Sequence, residues 1–335
     1  MSEDLRTLTL RDWLENDLLL EVTAFRPASS DASFRRYFRI TTPDAVLIAM
    51  DAPPATENLP AFIKVAGLLA ATGLQVPTIL GQNLEDGFLL LEDFGSQAFL
   101  DTVAKVGPEP YYPQALANLL SLQTHTDSRH FDLPRYDEAL LKRELAIFND
   151  WFVGQWLDIE LPAAVMADLE RVLISSALAQ PVVCVHRDYH SRNLMVLADG
   201  TLGVLDFQDA VLGPITYDAV SLLRDCYITW PPEQIAHWLA DYHQHLQQAG
   251  QLTASLAEFT RWFDLMGLQR HLKAIGIFTR LHLRDGKSGY LNDIPRTLGY
   301  VQAVTAAYPE LAAFDQLLHS QLLPAYRQAA QRITA

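Results

Sequence analysis

The polar block His186-Arg187-Asp188-Tyr189-His190-Ser191-Arg192-Asn193 lies between two short apolar runs, residues 181–185 and 202–205, and Asp206 follows the second run directly. Runs of this length and composition read as buried strands, and Ala198-Asp199-Gly200 between them reads as a turn. The order is therefore strand, polar loop, hairpin, with acidic residues placed at strand ends. A loop anchored between buried strands can hold its side chains rigidly, which preorganised chemistry requires.

The residue types in this block suit phosphoryl transfer. That reaction needs a carboxylate to orient the attacking hydroxyl and oxygen or amide ligands to hold Mg²⁺ against nucleotide phosphates. Asp188 is the candidate catalytic base, and Asn193 and Asp206 are the candidate metal ligands, in the order base, amide, carboxylate. Arg187 is a candidate to offset charge that develops on the phosphoryl group. ATP and Mg²⁺ are the implied cofactors.

The pattern H-x-D-x-H-x-x-N with a downstream Asp resembles that of the aminoglycoside phosphotransferase and choline kinase group, small-molecule kinases with a protein-kinase-like fold. His190 separates it from protein kinases, which usually carry Lys, Arg or Ala at that place, and no Ala-Pro-Glu follows Asp206. The resemblance implies an α+β, two-lobe fold with a small antiparallel-sheet N-lobe, residues 1–92, that binds nucleotide. A larger, mainly helical C-lobe, residues 93–335, would carry catalysis and the acceptor. In Gly213-Pro214-Ile215-Thr216-Tyr217-Asp218 the aspartate reads as structural, capping a helix or bracing the loop.

Further segments extend the likeness over nearly the whole chain. Residues 30–39, Met50-Asp51-Ala52-Pro53-Pro54, Leu91-Glu92-Asp93-Phe94-Gly95 and Gln269-Arg270-His271-Leu272-Lys273 look like those of bacterial anomeric kinases of N-acetylmuramate and N-acetylglucosamine. This implies ATP-dependent phosphorylation of the anomeric hydroxyl to a sugar 1-phosphate in cell-wall sugar recycling. An aminoglycoside or choline-type kinase is the alternative enzyme, and a non-catalytic nucleotide-binding pseudokinase scaffold the alternative of another class. Acidic residues should dominate the acceptor region of an aminoglycoside kinase, whereas residues 326–332 are basic.

Composition bounds these readings. A chain of 335 residues with 50% hydrophobic content can bury more than one core. A formal net charge of −15 argues against nucleic acid as a partner, because that affinity comes mainly from Lys and Arg neutralising phosphates. No apolar run reaches membrane-spanning length, and the start Met1-Ser2-Glu3-Asp4 lacks a basic, apolar leader. A cytoplasmic location without an obligate protein partner is expected, with an amino sugar and ATP as small-molecule partners. Cys184 and Cys226 read as packing residues.

The nucleotide region is weaker in signal. The strand 46–50 ends in Met50 where a protein kinase would carry its phosphate-pairing lysine. Ser33, Arg35 and Arg36 are the candidates to hold phosphate, with Lys64 a second possible cation. Leu91, Glu92 and Asp93 would offer backbone groups to adenine. Asp93-Phe94-Gly95 spells the protein-kinase metal triplet but precedes the His186 block, so Asp206 takes the metal role. For the acceptor, Arg270, Lys273 and Arg280 fall near one helix face together with Arg284 and would suit an anionic group.

Overall fold

The structure is a computed structural model that describes residues 4–29, 34–125 and 132–334. Its strands are β1 Ala24–Ser29, β2 Arg36–Thr41, β3 Val46–Asp51, β4 Ile79–Asn83, β5 Phe88–Glu92, β6 Val182–Val185, β7 Leu194–Val196, β8 Leu202–Val204 and β9 Val211–Pro214. The α-helices are α1 Leu5–Asp12, α2 Leu59–Ala71, α3 Phe99–Val106, α4 Tyr111–His125, α5 Glu138–Ile147, α6 Ala163–Leu178, α7 Tyr217–Leu223, α8 Pro232–Gln248, α9 Leu256–Asp285, α10 Ile294–Ala307, α11 Ala312–Leu317 and α12 Leu323–Thr334. The fold is α+β. No helix among the described residues is long and apolar enough to cross a membrane.

The chain forms two compact units, one of Met1–Gly107 with Asn193–Asp209, the other of Pro108–Arg192 with Ala210–Ala335. The first thus continues past Glu92 and takes back a distant hairpin. Its main sheet is antiparallel in the order β1-β2-β3-β5-β4. In β2 burial alternates, with Phe38 and Ile40 turned inward, as period-two side chains require on a sheet with one covered face. Those two pack with Leu10, Trp13 and Leu14 from the N-terminal helical segment and with Ala49, Phe88 and Leu90. In β5 the residues Phe88 to Leu91 are all buried, because this strand lies between neighbours and is covered on both faces.

The returning hairpin β7–β8 is tied to this unit through packing that only glycine permits. A Cβ on Gly203 would stand 2.5 Å from the ring of Phe94. The Asp93-Phe94-Gly95 triplet therefore has a structural job: Phe94 covers β8, and Asp93 accepts from Arg39 Nε at 2.7 Å and from the Gly95 amide at 2.9 Å. On the other side of Asp206, Phe207 is buried and packs on Phe62 of α2 with ring centroids 4.8 Å apart.

The helical unit is organised around α9. Its N-terminus is capped by Ser255, whose Oγ accepts from the Glu258 amide, and the Glu258 carboxylate sits in the first turn, where the helix dipole favours it. Its C-terminus stops at Gly286, whose φ of 69° suits a residue without a Cβ. Leu265, Leu268, Leu272, Ile275 and Phe278 recur at helical spacing and pack into a core with Phe148, Phe152, Leu298, Val301 and Phe314. The two-stranded ladder β6–β9, Val182 opposite Pro214 through Val185 opposite Val211, carries the His186 block at its end.

Gly276 sets how close α9 comes to the chain at Ile147, since a Cβ there would lie 2.5 Å from the Ile147 carbonyl oxygen. Gly276→Ala is expected to force α9 outward and to lower stability by about 1–3 kcal/mol. Urea unfolding monitored by tryptophan fluorescence measures this, and an unchanged midpoint would show that the backbone yields without cost.

Candidate active site

The His186 block leaves β6 in a conformation that the local sequence alone would not choose. Arg187 has φ of 75°, a region that residues with a Cβ adopt at a cost and that recurs where function demands it. Asp218, fully buried at the start of α7, holds that turn. Its Oδ2 accepts from the His186 amide at 2.7 Å and its Oδ1 from the Arg187 amide at 3.0 Å. Asp225 acts in the same way further on, accepting from the Ser191 amide at 2.8 Å and from the Tyr227 amide at 2.8 Å. His186 Nδ1 accepts from the Asp188 amide at 3.2 Å, which assigns the ring proton to Nε2. Three side chains thus fix the backbone on both sides of Asp188.

Asp188 is surrounded by cationic and imidazole groups. Burial pushes its carboxyl up, but Lys273, His190, His186 and Arg187 more than reverse this and hold it below the ordinary value of 3.8. It is therefore ionised at neutral pH, as a hydroxyl-orienting base must be. Burial drives His190 the other way, lowering it against the raising influence of Asp225 and Asp188, so that it stays neutral.

Of the cations predicted to meet the acceptor, Lys273 and Arg270 lie in this neighbourhood and differ in their partners. Lys273 Nζ donates to Glu144 Oε1 at 2.8 Å and to the Tyr217 hydroxyl at 3.2 Å. Arg187 Nη2 reaches the same Glu144 oxygen at 2.7 Å, and the Tyr136 hydroxyl donates to its Oε2. Glu144 is buried, which raises its carboxyl, yet Lys273 and Arg187 bring it below its ordinary value. Arg187 is thus drawn to Glu144. Arg270 is only 7% exposed, and its one side-chain hydrogen bond among the described residues goes to Cys226 Sγ at 3.8 Å. Arg280, by contrast, lies farther along α9 beside Arg284, and burial followed by that neighbour lowers its pKa.

In the sheet unit, Asp206 also has a positive φ, 60°, at the end of β8. Its Oδ1 accepts from Arg35 Nη2 at 3.0 Å and from Gln208 Nε2 at 3.0 Å. Asn193 Nδ2 stands 3.4 Å from Asp206 Oδ2, and its carbonyl accepts from the Leu205 amide at 2.9 Å. An amide and a carboxylate side by side, both oxygen donors, fit Mg²⁺, which takes few protein ligands and completes its shell with phosphates and water. Arg35 is the buried cation here, also 3.4 Å from Glu57, while Arg36 is bound by Asp51 and Asp4. Ser33 lies outside the described residues. Leu91 is buried within β5, the Glu92 amide donates to the Thr78 carbonyl at 2.9 Å, and Asp93 is held by Arg39.

Comparison with known proteins settles the family. The phosphotransferase enzyme family matches residues 24–259, which include both the sheet and the His186 block. The chain belongs to this family. It is 46% identical over 334 residues to a Pseudomonas aeruginosa protein named N-acetylmuramate/N-acetylglucosamine kinase, covering 96% of this chain and 98% of that one. A protein of the same name from Neisseria meningitidis is 40% identical, covering 93% and 95%. The crystal structure of aminoglycoside phosphotransferase APH(2'')-Ib with bound ADP superposes with a TM-score of 0.57 at 16% identity, covering 87% of this chain and 97% of that one. This phosphotransferase thus has the kinase-like fold and is an enzyme.

Glu144 and Asp225 were not singled out from the sequence. Glu144 sits between Leu141 and Leu145 on the buried side of α5, and a charged residue on an apolar helix face was the available signal. Asp225 follows α7 in an unremarkable Arg-Asp-Cys stretch and offered none.

Burial pushes Asp218 up to about 7, against the two amide bonds that favour its ionised form. As pH falls through 7 the carboxyl gains a proton, and one of its acceptor oxygens becomes a hydroxyl facing an amide. We expect kcat/KM to fall in that window while Asp188 stays ionised. Asp218→Asn, which cannot ionise, is expected to give a lower kcat/KM that is flat from about pH 6 to 8. A limb near 7 that persists in the variant assigns the titration to another group.

Proposed function

We propose that this phosphotransferase is an ATP- and Mg²⁺-dependent kinase that transfers the γ-phosphoryl group to the anomeric hydroxyl of N-acetylmuramate, N-acetylglucosamine or both. The observation that carries the reading is the match, over nearly the full length of both chains, to proteins named for that activity. ATP use is supported by family membership and by the ADP bound to aminoglycoside phosphotransferase APH(2'')-Ib.

In this mechanism Asp188 orients the hemiacetal hydroxyl and accepts its proton as the oxygen–phosphorus bond forms and ADP leaves. A base held below 3.8 is too weak to ionise an ordinary alcohol in advance, which suits a hydroxyl more acidic than most and a loose transition state. Mg²⁺, held by Asn193 and Asp206, would neutralise charge on the nucleotide oxygens. Arg35, bound to Asp206, is the cation we assign to phosphate in place of the lysine that Met50 replaces. Arg36, Leu91, Glu92 and Asp93 remain proposed nucleotide contacts, the last three through backbone groups. Arg187 acts through Glu144 as a brace for the loop, and Arg270 faces the reacting end of the acceptor.

The charge around Asp188 also separates this reading from its alternatives. A polycationic aminoglycoside or the quaternary ammonium of choline would meet the buried Arg270 guanidinium, which senses the Asp188 charge, and be repelled by it. A neutral or anionic sugar does not. Feeding the sugar 1-phosphate into nucleotide-sugar synthesis would place the enzyme in cell-wall recycling, in the cytoplasm where ATP is available.

Mg²⁺-dependent ATP consumption with N-acetylmuramate, N-acetylglucosamine, kanamycin and choline tests the assignment. Turnover of the amino sugars alone is the expected result, and turnover of kanamycin or choline alone overturns it. Asp188→Ala is expected to reduce kcat by about 10²–10⁴ or more while leaving nucleotide affinity within about twofold. Retained turnover would remove Asp188 from the chemistry.

A further inference from the structure

Arg192 stands in the same loop as Asp188 and is seated on aromatic rings. It lies in the short 3₁₀ turn Ser191–Asn193, and its guanidinium is seated 3.7 Å over the ring of Tyr227 and 5.3 Å from that of Tyr290. Tyr290 is in turn stacked on buried Phe278, ring centroids 5.8 Å apart and planes 18° from parallel. Tyr227 is set edge-on to His190, whose ring senses the charges of both Asp188 and Arg192. The seat therefore continues from the base outward through His190 and Tyr227.

With its central carbon 3.7 Å from the Tyr227 ring centroid, the guanidinium rests on that ring and carries its N–H donors around its rim. Among the described residues these donors have a single carboxylate near them, Asp293 Oδ2 at 3.7 Å, which is beyond hydrogen-bond range. Asp293 is already engaged by Arg296 at 3.1 Å. Arg192 is 41% exposed, so a ligand can reach it. A fork seated on a ring, ion-paired with Asp293 on the Nη2 side alone among the described residues and 41% exposed, keeps donors that can receive a carboxylate through paired hydrogen bonds.

N-acetylmuramate differs from N-acetylglucosamine by a lactyl ether that ends in a carboxylate. We propose that Arg192, clamped by Tyr227 and Tyr290, receives that carboxylate and sets the preference between the two sugars. The proposal rests on the kinase reading above and deepens it. It divides the cations by task. Arg270, buried and within the field of Asp188, serves the end of the sugar common to both acceptors, whereas Arg192 reads the substituent that distinguishes them.

The test compares kcat/KM for N-acetylmuramate, its methyl ester and N-acetylglucosamine in the wild-type enzyme, Arg192→Gln and Arg192→Lys. The wild type is expected to favour the free acid over the ester by about tenfold or more. Arg192→Gln should bring that ratio close to one, and N-acetylmuramate should lose at least about tenfold more kcat/KM than N-acetylglucosamine, chiefly through KM. Arg192→Lys, which keeps charge without the planar fork, should fall between the two. An acid-to-ester ratio that survives in Arg192→Gln overturns the proposal and moves the carboxylate contact to another cation. An equal loss for all three sugars in Arg192→Gln, with an undiminished acid-to-ester ratio in Arg192→Lys, overturns it as well. If the wild type turns over none of the sugars, the kinase reading itself fails, an outcome distinct from both.

Discussion

Two buried carboxylates, Asp218 and Asp225, hold the backbone from which Asp188, the proposed base, projects. Each accepts two amide hydrogen bonds, and together they pin His186, Arg187 and Ser191 on either side of Asp188. Burying carboxylates is costly unless their acceptor capacity is used, and hydrogen bonds to charged groups are among the stronger ones a fold can make. The return is a loop that keeps Arg187 in a left-handed conformation without glycine. Both anchors stand near α7, whose seven residues are all buried, so the loop inherits the rigidity of the core.

The distribution of charge follows from that rigidity. Glu144 gathers Arg187 and Lys273 onto one buried carboxylate, a cluster in which removing a partner would strand an opposite charge at low dielectric. Lys273 still lowers the Asp188 carboxyl from within this arrangement. The sheet unit solves a different problem. Met50 is fully buried against β2 and β5, and the cation that meets Asp206 comes instead from Arg35, just before β2. A substitution of the usual lysine therefore need not signal lost catalysis, since the positive charge enters from a neighbouring position.

Much of this was legible in the sequence because the candidate site residues are local there. Asp188, Asn193 and Asp206 fall within a short stretch whose flanking apolar runs announce strands, and the hairpin β7–β8 forms around the turn those runs bracket. The antiparallel sheet was implied by the family resemblance, and of the two structural roles read for Asp218 it is the bracing of the loop that the structure shows, from a place inside the first turn of α7. Other features depend on contacts that sequence spacing does not encode. That β6 pairs with β9, that Phe94 covers Gly203, and that Glu144 reaches Arg187 are long-range packing facts. The basic stripe on α9 illustrates the limit. Helical periodicity placed Arg270, Lys273 and Arg280 near one face, but burial and partners give each a different setting.

Under the proposed reading, Asp188 directs the γ-phosphoryl group to an anomeric oxygen. Phosphorus NMR of the product formed from N-acetylglucosamine tests it most directly, with the 1-O-methyl glycoside as a parallel acceptor. A single phosphomonoester resonance coupled to the anomeric proton, with no product from the glycoside, is the expected result. Phosphate coupled to any other ring or methylene proton, or turnover of the glycoside, would contradict it.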